Sequence, residues 1–458
     1  MTKVNHKSLI ILFCVALLVR VLFFLIFAIH EGTPNFVLPG GDSYHYLAIG
    51  KNLASGHGYS QALEPPYVPN SDRSPFLPFL LAAVTGFLKF PIAVHLGLQI
   101  LIGSLSVIVL YWLGKRIFTE QIAMAAALFY ALDPFVSWSS ILLLTETWFT
   151  FFLLLSLWTL IRFWQEGAIR SALWSGAILG LATLTRAVSV FYSLIVIVAI
   201  GFLRRQSWQT RLLGALSFVV IFGLVLSPWV IRNYKTFGVA SLSSVPAYNW
   251  YWYNAREFYT LKHHLSESQG KTVFLQWREE ALNDNPALNN ELRLQSFYLR
   301  KAFSVIREDF PGYLRFHMIN TLAVYLNSGW DNLRYLWDKG GSDTNFTALL
   351  ASGWPGVVEV LKNYPGAVLE KLFLGLFYLL IVGGWFRSWI TRREFGFFSF
   401  LLITVLFFGL AAGAVAEPRF RVVVEPLLWL LFVVSLSLVF PRAWSSVIDK
   451  VRPFSQKV

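Results

Sequence analysis

Asp42 stands directly after Gly40 and Gly41, in a loop of turn-forming residues (Pro34, Pro39) that follows the first long apolar run. A carboxylate there has two uses. It can cap the short helix that residues 42–53 predict, accepting backbone N–H groups left unpaired at the helix start. It can also serve as a general base at a water–lipid boundary, where partial desolvation raises a carboxylate toward working pH. A second residue type recurs with it: arginine, at Arg73 before Pro75, at Arg186 after Leu184-Thr185, at Arg232 after Pro228-Trp229, and at Arg419 and Arg421 around Phe420. Guanidinium groups offer paired donors to phosphate oxygens, so several of them around one face suit an anionic ligand. Arg73 equally suits an interfacial side chain that reaches for lipid headgroups.

The elements that must position these residues are membrane-spanning helices. The chain has 458 residues, of which 56% are hydrophobic and 14% charged, with a mean hydropathy of +0.57; soluble domains run near a quarter charged. The run 8–29 has the length a bilayer core demands and lacks a small-residue cleavage site, so it is expected to be retained as a helix. Nine further apolar runs follow at 91–114, 121–138, 139–161, 171–185, 187–203, 212–231, 366–386, 395–415 and 422–440. The expected fold is an all-α polytopic membrane protein of about ten or more transmembrane helices, with interfacial helices in the first outer loop and a mixed outer domain.

Charge sets the orientation. The net charge is +13, and with the N-terminus inside, nearly all of that excess falls on inner loops such as Lys115-Arg116, Arg204-Arg205 and Arg392-Arg393. The basic balance therefore reads as topology, and a nucleic-acid partner is not expected. Residues 75–89 are apolar but short for a crossing, and are placed along the outer surface. The expected organisation is a module of transmembrane helices over 1–231 containing the outer loop 30–89, an outer domain over 232–365, and terminal transmembrane helices with a basic inner tail over 366–458. Arg73, Arg186, Arg232, Arg419 and Arg421 all then lie at outer junctions, against the inside bias. Glu146 falls near the outer part of a span. A carboxylate at that depth is functional or paired, and Arg20 of the first helix is the expected partner.

Other chemistries find no support. Cys14 is the single cysteine, so no internal disulfide or cysteine-based zinc site can form. The eight histidines show no ligand spacing, leaving a divalent metal possible but without support and no cofactor expected. No phosphate-binding loop or dinucleotide fingerprint occurs, which argues against a nucleotide donor.

In their order along the chain, the pieces resemble the bacterial protein O-mannosyltransferase and lipid A aminoarabinose-transferase superfamily of C-type glycosyltransferases. They are Gly41-Asp42-Ser43-Tyr44, Gly56-His57-Gly58-Tyr59, Arg73-Ser74-Pro75 through Pro78, Leu132-Asp133-Pro134, Leu144-Thr145-Glu146, Leu184-Thr185-Arg186, Pro228-Trp229 through Arg232-Asn233, and Arg419-Phe420-Arg421. The resemblance implies that Asp42 is the base that deprotonates an acceptor, with inversion at the sugar's anomeric carbon. It implies that Arg73 holds the phosphate of a polyprenyl-phosphate sugar donor, with Arg419 and Arg421 nearby. Glu146, Arg186, Arg232, Tyr46 and Tyr59 complete the expected substrate-binding set. Many relatives carry two adjacent acids at the Asp42 position, and here Ser43 follows instead. The acceptor is expected to be a lipid, glycan or protein group carrying a hydroxyl or phosphate, and the location a bacterial inner membrane with an outward-facing site. A transporter or flippase of a lipid-linked sugar would also need many helices and outward arginines, but inverted repeats and broken helices around a midplane site mark such proteins, and neither is seen.

Overall fold

The computed structural model describes residues 6–30, 41–202, 206–327 and 365–442, together with 358, 362 and 444. The Pro34–Gly40 turn, the Arg204-Arg205 loop, most of residues 328–364 and the basic tail beyond 444 lie outside the described residues. Among the described residues the secondary structure is helical throughout, without strands.

Seven helices are long and apolar enough to cross a membrane: His6–Ile29, Ile92–Ile117, Glu146–Glu166, Trp208–Phe237, Val368–Thr391, Phe395–Val415 and Pro418–Val439. Four shorter apolar helices accompany them at Phe76–Phe87, Glu120–Leu132, Ile169–Thr185 and Ser189–Gly201. The chain is an integral membrane protein. In chain order the elements are α1 (His6–His30), α2 (Asp42–Ala54), α3 (Phe76–Leu81, extended by a π turn to Phe87), α4 (Ile92–Ile117), α5 (Glu120–Leu132), α6 (Pro134–Ser139), α7 (Glu146–Glu166), α8 (Ile169–Thr185), α9 (Ser189–Gly201) and α10 (Trp208–Phe237).

Within this group α7 packs on α8 and α4, and α8 on α10. Lipid tails are as apolar as leucine, so close backbone approach rather than water exclusion holds such helices together. Gly176 and Gly180 of α8 show how: a Cβ on Gly176 would lie 2.5 Å from the Phe218 carbonyl oxygen and one on Gly180 2.8 Å from Val225. Alanine at either position would force α8 and α10 apart.

Two expected spans, 121–138 and 139–161, have different boundaries in the structure. Asp133-Pro134 stops α5, and the Asp133 carboxylate accepts the N–H groups of Phe135 and Val136 at 2.9 and 3.1 Å, starting α6. Residues 140–145 then run as buried irregular chain. Unpaired backbone polar groups are costly away from water, and non-helical chain at membrane depth is tolerated where protein surrounds it. Gln99 of α4 supplies partners, its Nε2 donating to the carbonyls of Ser140 and Leu142. The helix α7 consequently begins at Glu146, and its N-terminus sits inside the bundle.

After α10 come five helices of a separate core: α11 (Val245–Asn249), α12 (Arg256–Lys262, reached through a π turn from Trp250), α13 (Glu267–Asp284), α14 (Glu291–Glu308) and α15 (Phe310–Leu326). Tyr251, Phe274 and Tyr298 are fully buried at its centre. Arg293 fastens the start of α14 to the end of α10 through a bond from Nε to the Phe237 carbonyl, 2.9 Å. The remaining described helices are α16 (Pro365–Thr391), α17 (Phe395–Ala412) and α18 (Glu425–Val439), the last preceded by a 3-10 segment over Pro418–Val424.

Candidate functional site

Asp42 is the first residue of α2, and the cap is Gly41, whose extended backbone closes the helix start. The capping use of Asp42 is therefore not the one adopted, because its carboxylate is turned to other partners. Arg73 Nη1 lies 2.7 Å from Oδ1 and Arg419 Nη2 lies 2.9 Å from Oδ2. Burial acts to raise the carboxyl, but Arg419 and then Arg73 outweigh it and hold Asp42 below its ordinary value. That reverses the direction expected from desolvation alone, since opposite charge within a few ångströms favours the ionised form.

Each arginine has one donor outside any hydrogen bond, although that of Arg419 lies at ion-pair distance from Glu417. The Nε atoms of Arg73 and Arg419 are buried and make no hydrogen bond among the described residues. Arg73 is otherwise well held. Its Nη2 donates to His45 Nδ1 at 2.7 Å, its guanidinium stands 5.8 Å from the Tyr46 ring centre, and the buried Tyr59 hydroxyl donates to the carbonyls of Arg73 and Ser74 at 3.0 and 3.1 Å. The same loop is fixed from beyond α10, where Ser243 Oγ donates to the Asp72 carbonyl and Ser244 Oγ to Asp72 Oδ1, both at 2.6 Å. Tyr46 and Tyr59 thus shape the Arg73 loop from within the fold. His45 is lowered by burial and then by Arg73, consistent with a neutral ring whose Nδ1 accepts a hydrogen bond from the guanidinium.

Glu146, 3% exposed at its side chain, pairs with Arg186 at 2.8 Å. The expected partner, Arg20, is elsewhere: it is fully buried, donates to the Ala16 carbonyl at 3.1 Å and faces Tyr130. The end of α8 delivers Arg186 to the irregular 140–145 chain, whereas Arg20 lies deeper, against Gly103 of α4. Phe420 stands between two of the arginines, 5.2 Å from the Arg186 guanidinium and 5.2 Å from that of Arg419. Asp42, Arg73, Arg419, Glu146 and Arg186 therefore form one array.

Two expected members stand apart from it. Arg232 donates to the Asn70 carbonyl and to Asn233 Oδ1 at 2.9 and 2.8 Å and is surrounded by the rings of Tyr59, Trp229 and Phe237; it braces the loop that carries Arg73. Arg421 is buried against Glu425 and the Tyr325 and Asn327 carbonyls, beside a cavity of about 180 Å³ that Asp133, Tyr378 and Trp429 also line. Arg419 and Arg421, two residues apart in the 3-10 segment, thus hold different carboxylates.

Reading the sequence residue by residue missed His45, Asp72 and Glu417. Glu417 reaches Arg419 Nε at 3.1 Å from Oε2; burial raises its carboxyl, with Arg419 opposing and Glu146 and Asp42 adding to the rise. Its place in Glu417-Pro418-Arg419 was the available signal. For a metal, Asp42 is a poor ligand, having a guanidinium on each oxygen, and no three His, Cys, Asp or Glu side chains converge among the described residues.

Residues 72–231 match the family described as dolichyl-phosphate-mannose-protein mannosyltransferase. Over almost its whole length the chain superposes on the oligosaccharyltransferase AglB from Archaeoglobus fulgidus. This is the C-type glycosyltransferase fold. The AglB structure in complex with an inhibitory peptide and a dolichol-phosphate aligns with a TM-score of 0.55 at 15% identity, covering 98% of this chain and 52% of that one. The apo form gives 0.55 at 17%, covering 98% and 53%. The present chain spans about half the length of these structures. No curated protein matches it by sequence. The C-type resemblance read from the motifs thus agrees with the fold, and the family match begins at Asp72, beside Arg73.

Proposed function

We propose that the chain is an inverting glycosyltransferase that moves a sugar from a polyprenyl-phosphate donor to an acceptor hydroxyl or phosphate at the outer face of a bacterial inner membrane. The observation that carries this reading is the double clamp on Asp42, with Arg73 and Arg419 each holding one carboxylate oxygen, Arg73 Nε making no hydrogen bond among the described residues and Arg419 Nε held by an ion contact to Glu417 without hydrogen-bond geometry. Two such forks suit a phosphodiester. The family match and the C-type fold support a lipid-phosphate donor, and the concentration of positive charge on the opposite loops supports an outward site.

In this mechanism the donor phosphate engages Arg73 and Arg419. Asp42 loses part of its neutralising charge, and burial then moves it toward a usable base. The acceptor's proton passes to Asp42, the acceptor oxygen bonds the anomeric carbon opposite the phosphate, and the carbon–oxygen bond to phosphate breaks with its electron pair on the phosphate oxygen. Stabilising the developing charge on that oxygen is an electrostatic task, for which preorganised donors suffice. Glu146 and Arg186 hold the wall beside Arg419. A transporter of the same lipid would need the clamp but no base.

The test is a comparison of envelope lipids and glycans by mass spectrometry in cells lacking the gene, complemented with wild type or with Asp42→Asn. Loss of one glycosylated species in the deletion, restored by wild type and not by the variant, is the expected result. Restoration by both would reject a catalytic Asp42 and favour transport.

A further inference from the structure

The guanidinium of Arg419 serves two carboxylates at once. Nη2 is 2.9 Å from Asp42 Oδ2, and Nε is 3.1 Å from Glu417 Oε2. The two contacts differ in quality: the first is a hydrogen bond, while Nε lies within ion-pair distance of Glu417 without hydrogen-bond geometry. An oxygen seated on this fork would displace Glu417 first.

We propose that Glu417 is a proton-coupled contact for the donor phosphate, yielding Arg419 to the phosphate, taking up one proton from the buffered solvent, and then donating its O–H to a phosphate oxygen. This rests on the phosphate-site reading above. Charge supports it independently of any one distance. The groups facing Glu417 are Arg419 on its own segment, Asp42 on α2, Glu146 on α7 and Arg186 at the end of α8; with Arg73 the array holds three carboxylates and three guanidiniums. A phosphodiester adds one negative charge to a balanced set, and a like charge beside a carboxylate favours its neutral form. Glu417 is the member whose carboxyl is already raised, and at 38% side-chain exposure it has access to solvent. A neutral Glu417 suits a singly charged diester. The doubly charged monoester left after transfer is matched less well, which favours its departure.

The probe is the methyl ester of farnesyl phosphate, a diester whose single charge does not titrate across the range used. Calorimetry on the full-length protein in detergent, repeated in buffers of different ionisation enthalpy, counts protons taken up on binding. Wild type is expected to take up a substantial fraction of a proton near pH 7 and to bind more weakly as pH rises. Glu417→Gln, which keeps the donor and cannot ionise, is expected to bind at least as tightly, with proton uptake abolished and affinity level from pH 6 to 8. Equal uptake in both proteins overturns the proposal, as does binding more than tenfold weaker in the variant, which would make Glu417 an orienting group for Arg419. Failure of wild type to bind the diester, in a protein that melts normally, would instead overturn the phosphate-site reading.

Discussion

Arg419, at the threshold of the last helix, closes on Asp42 of the first outer loop at 2.9 Å, joining residues at opposite ends of the sequence. Arg73 takes the other carboxylate oxygen. Replacing Arg73 or Arg419 with alanine should weaken binding of a polyprenyl phosphate by one to two orders of magnitude, because a charge-assisted bond is worth about 1.5–3 kcal/mol. Lysine should restore only part, lacking the planar fork. Titration of farnesyl phosphate into each variant checks this; unchanged affinity in both would assign the arginines to holding Asp42 alone.

Asp42→Asn should leave the helix start intact, since Gly41 is the cap. Melting should fall only by what the ionised carboxylate contributes beside Arg73 and Arg419, donor binding should persist, and transfer should fall roughly 10²-fold or more if a positioned base is lost. Turnover close to wild type in a normally melting variant removes Asp42 from the mechanism.

The Glu146–Arg186 pair is the array's buried ion pair. Truncating one partner leaves an uncompensated charge, so Arg186→Met should destabilise the protein by about 3–5 kcal/mol. Adding Glu146→Gln should recover much of that loss. Thermal melts of the single and double variants decide; additive losses would mean that the two side chains act independently.

His45 makes stability depend on pH. Its folded-state value is lowered from the usual 6.5, by burial and then by Arg73, so protonation favours the unfolded chain: stability is level above about 6.5 and declines as pH falls from there through the lowered value. Asp42, also lowered, contributes stability that is lost only at more acid pH, below the ordinary carboxylate range. Between pH 7.5 and 5.5 the melting temperature of wild type should therefore drop further than that of His45→Gln. Parallel curves would exclude the His45–Arg73 contact as the cause.

For orientation, a cysteine at Glu280 should react with an impermeant reagent from outside and one at Arg393 should be protected, in a background where Cys14 is replaced. The reverse pattern would invert the topology and place the site inside.

The membrane class and the run of apolar helices were legible because a span needs a long apolar stretch, which composition displays directly. The arginine and carboxylate positions were legible for a related reason: charge at a membrane boundary is conspicuous. Partnership was not. Glu146 could be paired with Arg20 or Arg186 on equal terms in one dimension, and only the break at Asp133-Pro134, with the buried chain that follows, brings Thr145 and Glu146 to the end of α8. His45 and Glu417 stayed hidden because their roles depend on which way Arg73 and Arg419 point. Arg421, two residues from Arg419, carried the same signal and went to a different carboxylate, Glu425.

That last pair makes the segment before α18 a partition whose two sides are set by register. Arg419 serves the Asp42 side and Arg421 the Glu425 side, and a 3-10 turn advances about 120° per residue. Deleting Phe420 would leave the Arg421–Glu425 spacing intact, since those residues lie four apart beyond the cut, and would swing Arg419 about 120° relative to them, leaving Asp42 to Arg73 alone. The length of this stretch should therefore tolerate far less change than its apolar side chains do.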